Sequence, residues 1–191
     1  MINLDVLAIG NLHKDNYGKI IEAHSSSVLI RTDERMIVVD TSTRSMLPAI
    51  KASFKQIGVF PKDVDTVVLT HSHFDHIENN DMFENARILI HPDEQSEVAG
   101  SKPIEAGADL IPGVSIVHTP GHTSGSISVF VKADKNYAIA GDALPRYGNY
   151  VKMAPPAFHT DKEAALESIK LIIRYADVII PGHDPPFLTN R

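Results

Sequence analysis

The sequence has no cysteine among its 191 residues. This absence excludes disulfide bonds, iron–sulfur clusters, thiolate metal ligands and cysteine nucleophiles. The chain also lacks any apolar run near the roughly 18 residues of a membrane span, and residues 1–5 lack the charged and apolar regions of a signal peptide. We therefore expect a soluble, cytoplasmic protein without membrane contacts.

Positive charge is in the minority. Lysine and arginine total 18 against 24 aspartate and glutamate residues, which gives a net charge of −6. This balance does not favour binding of nucleic acid, although a local basic patch remains compatible with it. We find no internal repeat, low-complexity tract or flexible linker. The length and the 43% hydrophobic content then predict one domain over residues 1–191.

Hydrophobic patterning predicts many short strands interrupted by helices, which favours an α/β sandwich with mixed sheets. The predicted strands lie at residues 4–9, 28–30, 36–39, 64–69, 87–90, 114–117, 127–131, 137–140 and 178–180. Residues 92–99 are predicted to hold a short helix. Residues 143–160 contain three prolines and are predicted to form a long irregular loop.

Two segments have helical spacing of apolar residues. The first is residues 46–57, with Ser45 as the expected N-cap and Gly58 as the stop. The second is residues 161–175, with Thr160 or Asp161 as the cap.

Histidine and aspartate cluster in a pattern typical of metal ligands. The segment THSHFDH at 70–76 places His71, His73, Asp75 and His76 within six residues. Three further donors each follow an apolar strand, namely His122, Asp142 and His183. Imidazole and carboxylate are usual ligands of zinc, manganese and iron. Loops at one edge of a sheet can converge on one cleft, and seven donors suit two metal ions that share a bridging ligand.

Four segments of the chain resemble the metallo-β-lactamase superfamily: THSHFDH at 70–76, TPGHTSGS at 119–126, GDAL at 141–144 and PGHD at 181–184. The resemblance implies a mixed α/β fold, a four-layer αββα sandwich with a dinuclear site at one edge of the sheets. It also implies two ligand triads and a bridge. Metal 1 would be held by His71, His73 and His122, metal 2 by Asp75, His76 and His183, with Asp142 bridging both.

The implied activity is metal-dependent hydrolysis of a small molecule. Two divalent ions, zinc first and manganese or iron as alternatives, would lower the pKa of a shared water and yield hydroxide near neutral pH. This hydroxide would attack a thioester, ester, lactone or phosphodiester, with Asp75 and Asp142 as the catalytic residues. Asp40, at the end of a predicted strand, is expected behind the ligands or as a cap of the strand end.

Differences between this sequence and well-known members of the superfamily argue against several groups of enzymes. The lack of cysteine excludes the β-lactam-hydrolysing enzymes that use a cysteine ligand. His73 stands where the flavin-associated di-iron oxidoreductases carry glutamate, and Pro145 stands where acyl-homoserine lactonases carry tyrosine. From the sequence given, we also expect no C-terminal helical domain of the kind found in full-length glyoxalase II enzymes. We therefore expect a small glyoxalase II-like hydrolase.

Substrate recognition is predicted in the segment 143–160, through Arg146, Tyr150, Lys152 and His159. Arg146 and Lys152 would hold an anionic substrate near Asp142. Three alternatives stay open: an RNA or phosphodiester nuclease, a mononuclear iron persulfide dioxygenase, and a metal-binding protein without catalysis. The sequence leaves the formation of a homo-oligomer open as well.

Overall fold

The computed structural model describes residues 1–190. Its strands, in chain order, are β1 (Asn3–Ala8), β2 (Asn11–Lys14), β3 (Ile20–His24), β4 (Ser27–Arg31), β5 (Met36–Val39), β6 (Thr66–Val68), β7 (Arg87–Ile90), β8 (Lys102–Pro103), β9 (Asp109–Ile111), β10 (Val114–His118), β11 (Ile127–Lys132), β12 (Asn136–Gly141), β13 (Val178–Pro181) and β14 (Phe187–Leu188). Its α-helices are α1 (Leu47–Ile57), α2 (Phe74–Ile77), α3 (Tyr147–Lys152) and α4 (Lys162–Tyr175). Short 3₁₀ turns lie at Arg44–Met46, Pro61–Asp63, Asn80–Met82 and Pro92–Glu97.

The strands form two large sheets and a separate hairpin. The first sheet has the order β1-β4-β5-β6-β7-β8 and is parallel from β5 to β8. The second has the order β14-β13-β12-β11-β10-β9 and is antiparallel except where β12 meets β13. Strands β2 and β3 pair only with each other. This hairpin, at the edge of the sandwich, was absent from the sequence-based predictions.

Alternating side chains explain how the sheets and helices pack. On β4, Val28 and Ile30 lie in the core between the two sheets, whereas Leu29 faces the opposite side and packs with α1. This is the period of two that a pleated strand dictates. On the outer face of the second sheet, Ile169 and Ile172 of α4 pack in a third cluster. The resulting layers are helix, sheet, sheet and helix, which confirms the predicted αββα sandwich.

The helix boundaries confirm most of the capping predictions. Asp161 accepts a hydrogen bond from the backbone N–H of Ala164 at 2.9 Å and so caps α4. Gly58 ends α1 in the left-handed conformation, with φ of 71°. The prediction that Ser45 caps α1 is wrong, because a 3₁₀ turn leads into this helix and the Ser45 hydroxyl pairs instead with that of Thr43.

The segment 143–160 is not irregular throughout, so that prediction is also wrong. It contains α3, and its prolines lie outside this helix, Pro145 before it and Pro155 and Pro156 after it. Proline disrupts a helix interior but not its flanks. The helix is held by the ring of Tyr150, whose centroid lies 5.1 Å from that of Phe187. None of the helices within residues 1–190 combines the length and the apolarity needed to cross a membrane.

Candidate metal centre

The seven predicted ligands meet at the edge of the sandwich where several strands end. His71, His73, Asp75 and His76 follow β6, and the remaining three, His122, Asp142 and His183, follow β10, β12 and β13. The backbone must approach closely here. At Gly182, a Cβ atom would overlap Oδ1 of Asp142. Glycine before His183 therefore lets this loop lie directly against the carboxylate.

The seven side chains form three overlapping groups, and within each group the potential ligand atoms lie within 4.8 Å of one another. The groups are His71–His73–His122, His71–His76–Asp142 and Asp75–His76–His183. The first and third have the composition of the two triads that the family resemblance implies. The second joins Asp142 to a member of each triad.

Hydrogen bonds from Nδ1 fix the orientation of three of the five histidine rings. Nδ1 of His76 donates to the carboxylate of Asp40 at 2.7 Å. Nδ1 of His183 donates to the backbone carbonyl of His24 at 2.9 Å, and Nδ1 of His122 to that of Phe158 at 2.7 Å. With Nδ1 protonated, Nε2 carries the lone pair that a metal requires.

Buried polar atoms without a hydrogen-bond partner indicate whether these residues could bind a cation. Among the described residues, Nε2 of His71, Nε2 of His76 and Oδ1 of Asp142 are buried without a hydrogen-bond partner. Buried polar atoms are normally paired, and these three belong to residues whose potential ligand atoms lie within 4.8 Å of one another. Burial lowers the pKa of His71 well below its ordinary value, so its imidazole is neutral and able to ligate. The donor set therefore fits divalent cations.

The carboxylate at the centre is ionised. Burial by itself would raise the pKa of Asp142, but the neighbouring His183 and His76 outweigh it and lower this pKa well below its usual range. The reciprocal effect raises the pKa of His183, whose Nε2 lies 3.2 Å from Oδ1 of Asp142. The pKa of His73 is lowered by burial and then by the adjacent His122. Asp142 thus offers a negative charge between the two triads.

Two acidic residues that are not ligands hold the ligand loops. Asp40 accepts hydrogen bonds from the backbone N–H and the hydroxyl of Thr70 as well as from His76. This agrees with the expectation that Asp40 lies behind the ligands. Glu94, which the sequence did not single out, accepts from the backbone N–H groups of Ser72 and Gly125. Glu94 therefore connects the loop of His71 and His73 to the loop of His122.

A cavity of about 280 Å³ opens beside the ligands. Its polar wall consists of ligand side chains, namely His73, Asp75, His122, Asp142 and His183. The rest of its wall is mostly apolar and is contributed by Leu12, Lys14, Ile20, Ala23, Phe74, Pro145, Pro156, Ala157 and Phe158. A small site with convergent polar groups and an apolar wall is typical of binding sites for small organic molecules.

The four predicted substrate-binding residues do not line this cavity within the part of the chain that the structure describes. Arg146 is exposed and lies 3.6 Å from Asp184, and Lys152 is exposed on α3. The hydroxyl of Tyr150 accepts a hydrogen bond from the backbone of Asn190, whereas Nδ1 of exposed His159 donates to the carbonyl of Pro156. Their role in binding substrate stays a prediction. From the same segment, Phe158 does reach the cavity.

The sequence pattern does not predict the hairpin residues of the cavity wall. Residues 11–24 are mostly polar, and their apolar side chains are too few for a clear alternation. The faint signal is Leu12, Lys14 and Ile20 on either side of the turn residue Gly18. Only the pairing of β2 with β3 brings these residues to one side.

Comparisons with known proteins agree with this geometry. The family model of the metallo-β-lactamase superfamily matches residues 21–92 and 89–183. A Methanocaldococcus jannaschii protein named probable metallo-hydrolase is 40% identical over 96% of this chain and 87% of its own length. Metallo-β-lactamase domain-containing protein 1 of Xenopus laevis is 34% identical over 91% of this chain and 76% of its own length. Among solved structures, a quorum-quenching N-acyl homoserine lactone lactonase is similar with a TM-score of 0.72 and 26% identity, covering 96% of this chain and 91% of that one. The chain therefore belongs to the metallo-β-lactamase superfamily and is one of its metal-dependent hydrolases.

Proposed function

We propose that this protein hydrolyses a carboxylic ester, lactone or thioester of a small molecule with the help of two divalent cations. The observation that carries the proposal is the pair of ligand triads, joined through Asp142, at the base of a largely apolar cavity. Seven donors exceed the four of a tetrahedral ion. Two cations would use all seven, with three donors from each triad and Asp142 between them.

The first cation would be held by His71, His73 and His122 and the second by Asp75, His76 and His183. Zinc is the first candidate for both positions, with manganese and iron as alternatives, since imidazole and carboxylate accept all three. When bound, such ions lower the pKa of water toward neutrality and stabilise negative charge on a substrate oxygen.

The residues of the chain orient the reactants. Asp75 is both a member of a triad and part of the cavity wall, so its carboxylate can accept a hydrogen bond from the attacking water. Phe74 and Phe158 would hold the acyl portion of the substrate and exclude bulk water. In the reaction the acyl–oxygen or acyl–sulfur bond breaks. The water oxygen joins the acyl carbon, and one water proton passes to the leaving group.

The wall of the cavity favours this substrate class over a nucleic acid. Within residues 1–190 it carries a single lysine and no arginine, whereas a polyanion requires several cationic contacts along its backbone. The similarity to an acyl-homoserine lactone lactonase supports carboxylic ester chemistry. The proline at position 145, in place of the tyrosine of those enzymes, argues against the same lactone as substrate.

The test begins with metal content, measured by elemental mass spectrometry on protein purified without added metal. We expect about two ions per chain, together with turnover of at least one member of a panel of thioesters, lactones and aryl esters. One iron per chain with oxygen uptake would favour the persulfide dioxygenase instead. Full metal occupancy without turnover of any ester would overturn the proposal in favour of a metal-binding protein.

A further inference from the structure

One cationic side chain faces the cavity. Lys14 is the only lysine or arginine in the cavity wall within the described residues. The acidic residues of that wall, Asp75 and Asp142, belong to the candidate metal centre. Lys14 is partly buried, and a lysine stem can cover apolar surface while its ammonium group stays free to meet water or an anion.

The pairing of the hairpin explains why Lys14 faces this way. Directly opposite residues of an antiparallel pair lie on the same face, and the pairs here are Leu12 with Ala23 and Lys14 with Ile20. All four side chains line the cavity. Ile20 and Ala23 are three residues apart and would lie on opposite faces of a regular strand. The register shift between His13 and Lys14 places both pairs on the same face.

The acidic side chains near the hairpin do not neutralise Lys14. Glu22 pairs across the strands with His13, on the other face, and accepts from the side chain of Asn11. Asp15 accepts from the backbone N–H groups of Tyr17 and Lys19 in the turn. The contact that Lys14 makes is with an aromatic face, since its Nζ lies 5.5 Å from the ring centroid of Phe158. Its ammonium group is therefore available to an anion in the cavity.

We propose that Lys14 binds a carboxylate group of the substrate, so that the enzyme acts on esters, lactones or thioesters whose acyl portion carries a second, negatively charged end. This inference rests on the proposed hydrolase function. A single lysine is a point charge that suits a monoanion, whereas phosphate is usually held by several donors. The acyl chain would lie along the apolar wall between the metal centre and Lys14.

The experiment compares two substrates that differ only in the terminal charge, 4-nitrophenyl hexanoate and the mono-4-nitrophenyl ester of adipic acid. For Lys14→Met, we expect the ratio of kcat/KM for the charged ester to that for the neutral ester to fall about tenfold, mainly through KM. Lys14→Arg should retain most of the wild-type ratio. Lys19→Met is the matched control, because Lys19 is an exposed lysine of the same hairpin outside the cavity wall, and its ratio should equal that of the wild type.

Failure of this inference and failure of the proposed function give different results. Turnover of both esters with the same ratio in wild type and Lys14→Met would overturn the role of Lys14 and leave the hydrolase intact. If neither ester is turned over, calorimetric titration of the metal-loaded protein with adipate tests Lys14 directly. About tenfold weaker binding by Lys14→Met than by Lys19→Met would support its role, and equal binding would overturn it.

Discussion

At the scale of single residues, Asp40 lies outside the cavity wall but holds side chains of the candidate metal centre in place. Its two carboxylate oxygens accept from the backbone and hydroxyl of Thr70 and from Nδ1 of His76. The hydroxyl of Thr70 in turn lies 3.1 Å from Nδ1 of His71. Because one carboxylate orients two ligand rings in this way, we regard Asp40 as a positioning residue.

We expect Asp40→Asn to weaken metal binding by about 10- to 100-fold, because the neutral amide no longer stabilises the proton on Nδ1 of His76. Asparagine also suits the backbone at this position, whose φ of 54° lies in the left-handed region. The measurement is metal retention against a competing chelator, with circular dichroism to confirm folding. Wild-type retention in a folded variant would contradict the role of Asp40.

A second residue-scale prediction separates the two ligand triads. Asp75→Asn replaces an anionic donor of the Asp75–His76–His183 group by a weaker, neutral one, and His183→Ala removes a donor from it. Neither changes the His71–His73–His122 group. We expect the metal content to fall from about two ions per chain to about one, and kcat to fall on the order of 100-fold or more, with the fold retained. Elemental analysis and steady-state kinetics provide the check. Full activity in either variant would refute the two-metal assignment.

At the scale of structural elements, the 3₁₀ turn Pro92–Glu97 links two ligand loops through Glu94. This carboxylate is 5% exposed. Its oxygens accept from the backbone N–H and hydroxyl of Ser72 in one loop and from the backbone N–H of Gly125 in the other. Burial would raise the pKa of Glu94, but hydrogen bonding by Ser72, Thr123 and Gly125 outweighs it and lowers the pKa, so the group is ionised. The turn thus holds both loops by charge-assisted hydrogen bonds.

For Glu94→Ala we expect a loss of about 2–4 kcal/mol in the free energy of unfolding, because buried backbone donors in two loops lose their acceptor. Glu94→Gln keeps one acceptor oxygen and should lose roughly half as much. Urea denaturation of both variants and of the wild type measures these differences. Equal stability of Glu94→Ala and wild type would show that the two loops are held by other contacts.

At the scale of the whole molecule, the two ends of the parallel strands have different roles. The candidate metal centre lies beyond the carboxyl ends of β5 and β6. At the amino ends, Asp65 accepts from the guanidinium group of Arg35 and from the backbone N–H of Met36. Burial would raise the pKa of Asp65, but Arg35, Thr66 and Met36 together lower it. This pair therefore joins adjacent strands far from the cavity.

A lowered pKa in the folded state gives this pair a defined pH dependence. Its contribution to stability is fully present above the unfolded pKa of Asp65 and is lost as the pH falls through the lower, folded pKa. Because both side chains are 35% exposed, we expect only about 0.5–1 kcal/mol. Asp65→Asn should be less stable than wild type at pH 7, and this difference should shrink below about pH 4. Thermal unfolding across this pH range is the measurement, and a difference independent of pH would contradict the assignment.

The predictions from sequence succeeded where local chemistry decides the outcome. Asp161 caps α4 and Gly58 ends α1 because capping depends on neighbours within a few residues. The convergence of the seven candidate ligands could be anticipated because His and Asp recur directly after apolar strands, and their role as metal ligands stays a prediction. The sequence pattern did not predict α3, because a helix of only six residues shows too little periodicity of apolar side chains. Its stability comes instead from the packing of Tyr150 on Phe187.

The walls of the cavity depend instead on contacts between segments that are far apart in the chain. Lys14 lies more than 50 residues before His73 and more than 140 before Phe158, yet all three border one cavity. Conversely, Arg146 and Lys152 follow Asp142 within ten residues but lie outside the cavity wall. Arg146 pairs with Asp184, and α3 packs on Phe187. The candidate metal ligands lie in short sequence motifs and can therefore be predicted from the sequence. The side chains that meet the substrate follow from strand pairing and helix docking, which residue spacing alone does not encode.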